Sequence, residues 1–181
     1  TTAANNVAVG ASSLISNTTG TRNVAVGTCA LFSNVNDNDN TGLGFKVLLG
    51  SSGQSNTAIG SCALIANTSA SDNTAVGKDA MIATTTGHSN VSIGKDSMIG
   101  NLTGDGNVAL GFKALFTNNG STPDFNVAVG RQALYSTTTA CRNVALGLNA
   151  MYTTTTGYTN VGIGSNVLYS NTTGYENVAI G

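Results

Sequence analysis

The stretch Asn160-Val161-Gly162-Ile163-Gly164-Ser165-Asn166-Val167-Leu168-Tyr169-Ser170-Asn171-Thr172-Thr173-Gly174-Tyr175-Glu176 is followed at once by Asn177-Val178-Ala179-Ile180-Gly181, which opens the same phrase again. Reading back toward the N-terminus, the pattern Asn-x-Ala-x-Gly, with Gly or Ser in the third place of some copies, begins at Asn6, Asn23, Asn40, Asn56, Asn73, Asn90, Asn107, Asn126, Asn143, Asn160 and Asn177. Successive starts lie 17 residues apart, except for one interval of 16 after Asn40 and one of 19 after Asn107. Residues 1–181 therefore read as a single repeat array, ten complete units from Asn6 and the first five residues of an eleventh. With Asn as position one, a unit runs Asn, Val or Thr, a small residue, Val, Ile or Leu, and Gly. Two variable residues follow, then a small residue, Leu or Met, a large apolar residue and a turn resembling Asn-Thr-Thr-Gly. A fixed period of this length marks a stacked repeat architecture.

Helix is excluded, because no unit keeps its apolar residues at helical spacing and every unit carries Gly, Asn and β-branched residues. Positions two and four are apolar around a small position three, the period-two alternation of a short strand. A second short strand is predicted over Ala30-Leu31-Phe32, Ala114-Leu115-Phe116 and Ala133-Leu134-Tyr135. Two short strands and two turns are too little to fold alone. Stacked coil on coil, the units bury their apolar columns and pair each strand with the coils above and below. The predicted fold class is all-β, a parallel β-solenoid (β-roll or β-helix) of 17-residue coils.

The invariant positions fit that architecture. Asn at position one, at Asn6, Asn23, Asn56, Asn73, Asn107, Asn143 and the other copies, predicts a ladder of side-chain amides, each bonded to its copy one coil away. Gly at position five, at Gly10, Gly27, Gly60, Gly77, Gly111, Gly147 and the rest, predicts positive φ or close backbone approach. Thr-rich turns such as Thr84-Thr85-Thr86-Gly87 place hydroxyls where they bond to turn backbone and to one another between coils. The short unit economises in the turn Gly50-Ser51-Ser52-Gly53-Gln54-Ser55. The long one, with the only Pro, is predicted to bulge outward at Ser121-Thr122-Pro123-Asp124-Phe125.

In the predicted second strand, the Leu/Met column at position nine, which includes Leu134, precedes a column of large apolar residues at position ten, among them Tyr135, Tyr152 and Tyr169. Neighbouring strand residues point to opposite faces, so only one column fills the coil. The other is a stripe of ten apolar side chains, and monomers rarely leave so large a patch in water. A parallel homo-oligomer is expected, since cyclic symmetry closes such a stripe without open-ended polymerisation.

Composition narrows function by exclusion. Charged residues make up 8% of the chain, against about 25% in typical soluble proteins. The formal charge of −1 leaves no footprint for nucleic acid or anionic membrane. No run reaches the roughly 18 apolar residues of a membrane span, and the N-terminus lacks the order of a signal peptide, so any export signal lies outside this segment.

No cofactor, metal or catalytic activity is predicted. His88, the only histidine, sits in a turn and builds neither a repeated metal geometry nor a triad. Cys29 and Cys62 share a unit position two coils apart, about 9.6 Å between Cα atoms at about 4.8 Å per coil, beyond the roughly 7 Å reach of a disulfide. With Cys141 they read as partly buried fillers. The run Asn36-Asp37-Asn38-Asp39-Asn40 offers oxygen ligands but lacks EF-hand spacing, and reads as a solvated turn. Asp79 and Asp96 share a column on adjacent coils, as a glycosidase pair would, yet each adjoins Lys78 or Lys95 and reads as a neutralised surface ladder. Sequons at Asn17, Asn67, Asn90, Asn101, Asn119 and Asn171 arise from composition and act only in a eukaryotic secretory setting.

The pentapeptides Asn6-Val7-Ala8-Val9-Gly10, Asn56-Thr57-Ala58-Ile59-Gly60 and Asn177-Val178-Ala179-Ile180-Gly181 resemble the Val-Ala-Ile-Gly repeats in head domains of YadA-like trimeric autotransporter adhesins. The longer unit, Asn160 through Gly174, resembles repeat regions of phage and large-virus tail-fibre proteins. The likeness covers the whole chain, with a 17-residue unit here against a shorter one in the adhesin heads. It implies a homotrimeric fibre that displays a receptor-binding tip. The functional expectation is a structural fibre shaft or adhesin module, extracellular, on a cell surface or on a virion. It would attach to a host-surface receptor or glycan through parts outside this segment. The alternatives are an ice-binding solenoid, from the Thr columns at Thr18, Thr68, Thr85, Thr138, Thr155 and Thr172, and a polysaccharide-degrading tailspike. The array has no polar capping unit at either end, so it reads as a piece of a longer polypeptide.

Overall fold

The computed structural model describes residues 2–50, 53–118 and 124–181. Positions two to four of each unit form a three-residue strand. They are β1 (Val7–Val9), β2 (Val24–Val26), β3 (Thr41–Leu43), β4 (Thr57–Ile59), β5 (Thr74–Val76), β6 (Val91–Ile93), β7 (Val108–Leu110), β8 (Val127–Val129), β9 (Val144–Leu146), β10 (Val161–Ile163) and β11 (Val178–Ile180). They make one sheet in chain order, each strand parallel to the next. Pairing follows unit position, so Val7 lies beside Val24 and Val144 beside Val161. The chain is thus a parallel β-solenoid of about ten turns, with no helix among the described residues. The short and long units keep register, Thr41 against Thr57 and Val108 against Val127, so their length differences are absorbed in turns. Of the bulge predicted over Ser121 to Phe125, Ser121 to Pro123 lie outside the described residues, as do Ser51 and Ser52 of the short turn.

Strand alternation has one physical outcome here: the small residue faces in. Ala25, Ala58, Ala75, Ala109, Ala128 and Ala145 are fully buried, while the larger residues at positions two and four point outward. The coil interior is too narrow for anything larger opposite Leu or Met at position nine, which is fully buried from Leu31 to Met151. Position eight, usually Ala, supplies the third buried column.

Three coils depart from Ala at both positions three and eight, and each compensates. Gly42 accompanies Val47, and a Cβ at Gly42 would come within 3.0 Å of the Val47 side chain. Gly162 likewise accompanies Val167. In the sixth coil Ser92 and Ser97 are both buried, their hydroxyls 2.5 Å apart, and Ser97 also donates to the Gly94 carbonyl at 2.8 Å. Volume is conserved in the first two cases and hydrogen bonding in the third, as close-packed interiors require.

The predicted second strand does not form. Ala30 to Phe32, Ala114 with Leu115, and Ala133 with Leu134 lie in turn, because position nine takes a left-handed conformation in every complete unit, with φ between 48° and 53°. Phe116 and Tyr135 fall just beyond the turn, and only an isolated parallel bridge between Thr117 and Ser136 follows them. Position seven does the same at 51° to 60°. Local bonds from Ala30 N–H to the Gly27 carbonyl (3.3 Å) and Asn34 N–H to the Leu31 carbonyl (3.2 Å) close the turns. Left-handed geometry costs a non-glycine residue roughly 1–2 kcal/mol. Full burial of Leu returns roughly 1.5–3 kcal/mol, enough to hold that backbone at position nine. The alternation of inward Leu and outward neighbour survives, but it comes from turn geometry.

Candidate functional site

The position-one asparagines form a continuous rail. At all ten steps from Asn6 to Asn177 the side-chain Oδ1 accepts the backbone N–H of the next coil's Asn, at 2.8–3.1 Å. The Nδ2 of Asn6, Asn23, Asn56, Asn73 and Asn143 donates to the carbonyl at position fifteen of its own unit, at 2.8–2.9 Å. Amide-to-amide bonds run at 3.1–3.3 Å at Asn56, Asn73, Asn90, Asn143 and Asn160 and shorten to 2.9 Å at Asn177. Each Asn thus satisfies buried backbone groups of two coils. Position-five glycines have φ between 125° and 144°, and a Cβ at Gly77 would sit 2.6 Å from the Gly94 carbonyl. Positive φ and close approach therefore act together.

Asn107 is the exception in the rail. Its Nδ2 reaches the Asp124 carboxylate, at 3.3 Å, in place of a carbonyl, and Asn118 Nδ2 donates to the same oxygen at 2.8 Å. Asp124 is 1% exposed, and burial raises its pKa above the ordinary carboxylate range against the pull of these two amides.

The large residues at position ten lie on the outside but cover one another. Phe116, Tyr135, Tyr152 and Tyr169 stack at 4.8–4.9 Å between ring centroids, within 3° of parallel. Their interior members are half-buried, and burial, helped by the flanking tyrosines, raises the Tyr152 hydroxyl above its usual value. Stacked rings turn their faces to each other, which leaves only edges for a ligand.

The residues weighed for chemistry are spread out. His88 is exposed; its Nδ1 accepts the Ser71 N–H at 3.0 Å and its own N–H donates to Asp105 at 2.6 Å. Asp79 and Asp96 pair with Lys78 and Lys95 at 3.4 and 3.8 Å. The run around Asp37 is structural: Asn38 holds Thr21, Asn40 belongs to the rail, and Asp39 binds Arg22 through both oxygens. The Arg22 guanidinium lowers the Asp39 carboxyl, whereas burial raises Asp37. Cys29, Cys62 and Cys141 are free and half-buried. Among the described residues no three His, Cys, Asp or Glu side chains come together as metal ligands. The sequon residues Asn67, Asn90 and Asn101 are buried, and Asn119 lies outside the described residues.

Thr hydroxyls at position thirteen are engaged along the stack. Thr68, Thr85, Thr138 and Thr155 each donate to the carbonyl one coil on, at 2.8–3.0 Å. No family model, curated protein or solved structure matches this chain. What the sequence reading missed is the outward face of the strand. Its signal was the small residue at position three, which only a narrow interior demands.

Proposed function

We propose that this chain is a structural shaft module of an extracellular or virion fibre, serving surface display and attachment and working as a parallel homo-oligomer without enzymatic activity. Three chains is the number the adhesin resemblance implies. The observation that carries the reading is where the repeat is strict. Asn at position one, Gly at position five and Leu or Met at position nine all face into the coil or bridge to the next. The exposed positions six, thirteen, fourteen and seventeen vary from unit to unit. Sequence regularity is thus devoted to length, and the surface is left for contacts.

Electron microscopy tests this. The purified chain should form rods about 48 Å long at about 4.8 Å per coil, and excising residues 73–106, two whole units, should shorten them by about 10 Å. Globular particles, or a deletion that unfolds the chain, would overturn the shaft reading. An ice-binding role ranks below it because the position-thirteen hydroxyls already donate within the stack. A freezing-point gap in purified protein would reverse that order. Reducing-sugar release from glycans, lost in Asp79→Asn, would do the same for a tailspike.

A further inference from the structure

The outer side of the sheet carries two columns of Val, Thr, Ile and Leu along the whole rod. Leu43, Ile59 and Ile93, well inside the stack, remain 47%, 37% and 43% exposed. No charged residue occupies position two or four in any unit. Charge is sorted to the two edges of this face. Past the position-five Gly, positions six and seven hold Lys46, Lys78, Lys95, Lys113 and Arg131 against Asp79 and Asp96, a net +3. Ahead of the strand, positions sixteen and seventeen hold Asp39, Asp72, Asp105 and Glu176 against Arg22 and Arg142, a net −2. The remaining carboxylates, Asp37 and Asp124, are buried. Lys78 and Lys95 stand out beyond their aspartates, with side chains 62% and 56% exposed against 21% and 16%.

Acid and base also straddle the same strand at three heights: Asp39 and Lys46 at β3, Asp72 and Lys78 at β5, Asp105 and Lys113 at β7. We infer that this strand face is the seam along which parallel, axially unshifted copies of the chain associate, the basic edge of one lying against the acidic edge of the next. Copies related by rotation about a common long axis bring opposite edges together. Antiparallel copies bring like edges together and repel. Without axial shift the three acid–base heights coincide, and at β5 it is Lys78, standing out beyond its partner Asp79, that Asp72 meets. A shift of one coil in one direction keeps two acid–base pairs, Asp72 with Lys95 and Asp105 with Arg131, but sets Arg22 against Lys46; in the other it keeps only Asp105 with Lys95 and sets Arg142 against Arg131. Closed cyclic symmetry allows no shift, so symmetry and charge select the same arrangement.

The β3 contact is a shared network, since Asp39 already holds Arg22 of its own chain at 2.6 Å. The extended stretch from position one to position five, about 13 Å by 48 Å, offers about 600 Å² per chain, and the side chains of the charged turns on either side of it add to the contact. The seam rests on the oligomer reading above, but it moves the contact from the position-ten column, whose rings are already covered by stacking.

The test separates the two. In a background with Cys29→Ser, Cys62→Ser and Cys141→Ser, mild oxidation should cross-link Val127→Cys to its own copy, because parallel unshifted chains bring β8 to β8, whereas an antiparallel partner presents β4 there. A single-chain mass by light scattering would overturn both the oligomer and the seam. An oligomer in which Tyr135→Cys cross-links and Val127→Cys does not would overturn the seam alone. Lys46→Glu with Lys78→Glu and Lys113→Glu should weaken association about tenfold at low salt, with the deficit fading toward 1 M salt. Unchanged low-salt association in that variant would refute the charged edges as the source of polarity.

Discussion

Each coil has two segments that alternate inward and outward side chains, and they do it differently. From position one to five the backbone is extended, Ala turns in, and the Asn rail and Gly corner fix the ends. From position seven to ten the same alternation is made by two left-handed residues, with Leu or Met turned in against its own backbone preference. The first segment is held by hydrogen bonds and small size, the second by burial of one large side chain. An apolar alternation in sequence therefore does not by itself distinguish a strand from a turn that folds back on itself.

Substitutions can break or sharpen this contrast. Leu134→Ala removes the side chain that holds the turn segment, and should cost about 2–5 kcal/mol in chemical denaturation; an unchanged midpoint would mean that the column does not carry the turn. On the strand side, Asn73→Ala leaves the Asn90 N–H without its acceptor and the Gly87 carbonyl without its donor. A loss of about 2–3 kcal/mol is expected, and a loss below about 0.5 kcal/mol would show the rail to be dispensable.

Glycine should act with opposite signs in the two segments. Gln132→Gly, at φ 57°, relieves left-handed strain and should stabilise by about 0.5–1 kcal/mol. Ala128→Gly, in β8, should destabilise by a similar 0.5–1 kcal/mol or so. In a chain this size each shift amounts to about 2–4 °C per kcal/mol in a melting scan. The same sign at both sites would contradict the contrast.

The smallest expected effect is at Asp124. Its folded pKa is raised by burial, so its charged form is penalised above that value and the penalty is absent below the unfolded value of about 3.9. Asp124→Asn should raise the melting temperature at pH 7, with the difference vanishing below about pH 4. A gain that persists at low pH would assign the effect to something other than charge.

The repeat, its register and the solenoid class were legible because a strict 17-residue period leaves little else that can bury Leu and pair every strand. The second strand was misread because Ala-Leu-Phe and Ala-Leu-Tyr look alike in a strand and in a left-handed turn. The pairings of Gly42 with Val47 and Ser92 with Ser97 were also written in the sequence. They become meaningful only once positions three and eight are known to face each other. The charged edges needed the same knowledge of which way the strand turns.

The claim on which everything else depends is that one unit makes one coil of a rigid stack. Spin labels at Thr19→Cys and Thr139→Cys, with Cys29, Cys62 and Cys141 replaced by Ser, occupy the same exposed turn position seven coils apart. Pulsed electron resonance on labelled chain diluted with unlabelled chain should return a narrow distance distribution near 34 Å, seven steps of about 4.8 Å. A broad distribution, or a centre below about 25 Å, would contradict the stack.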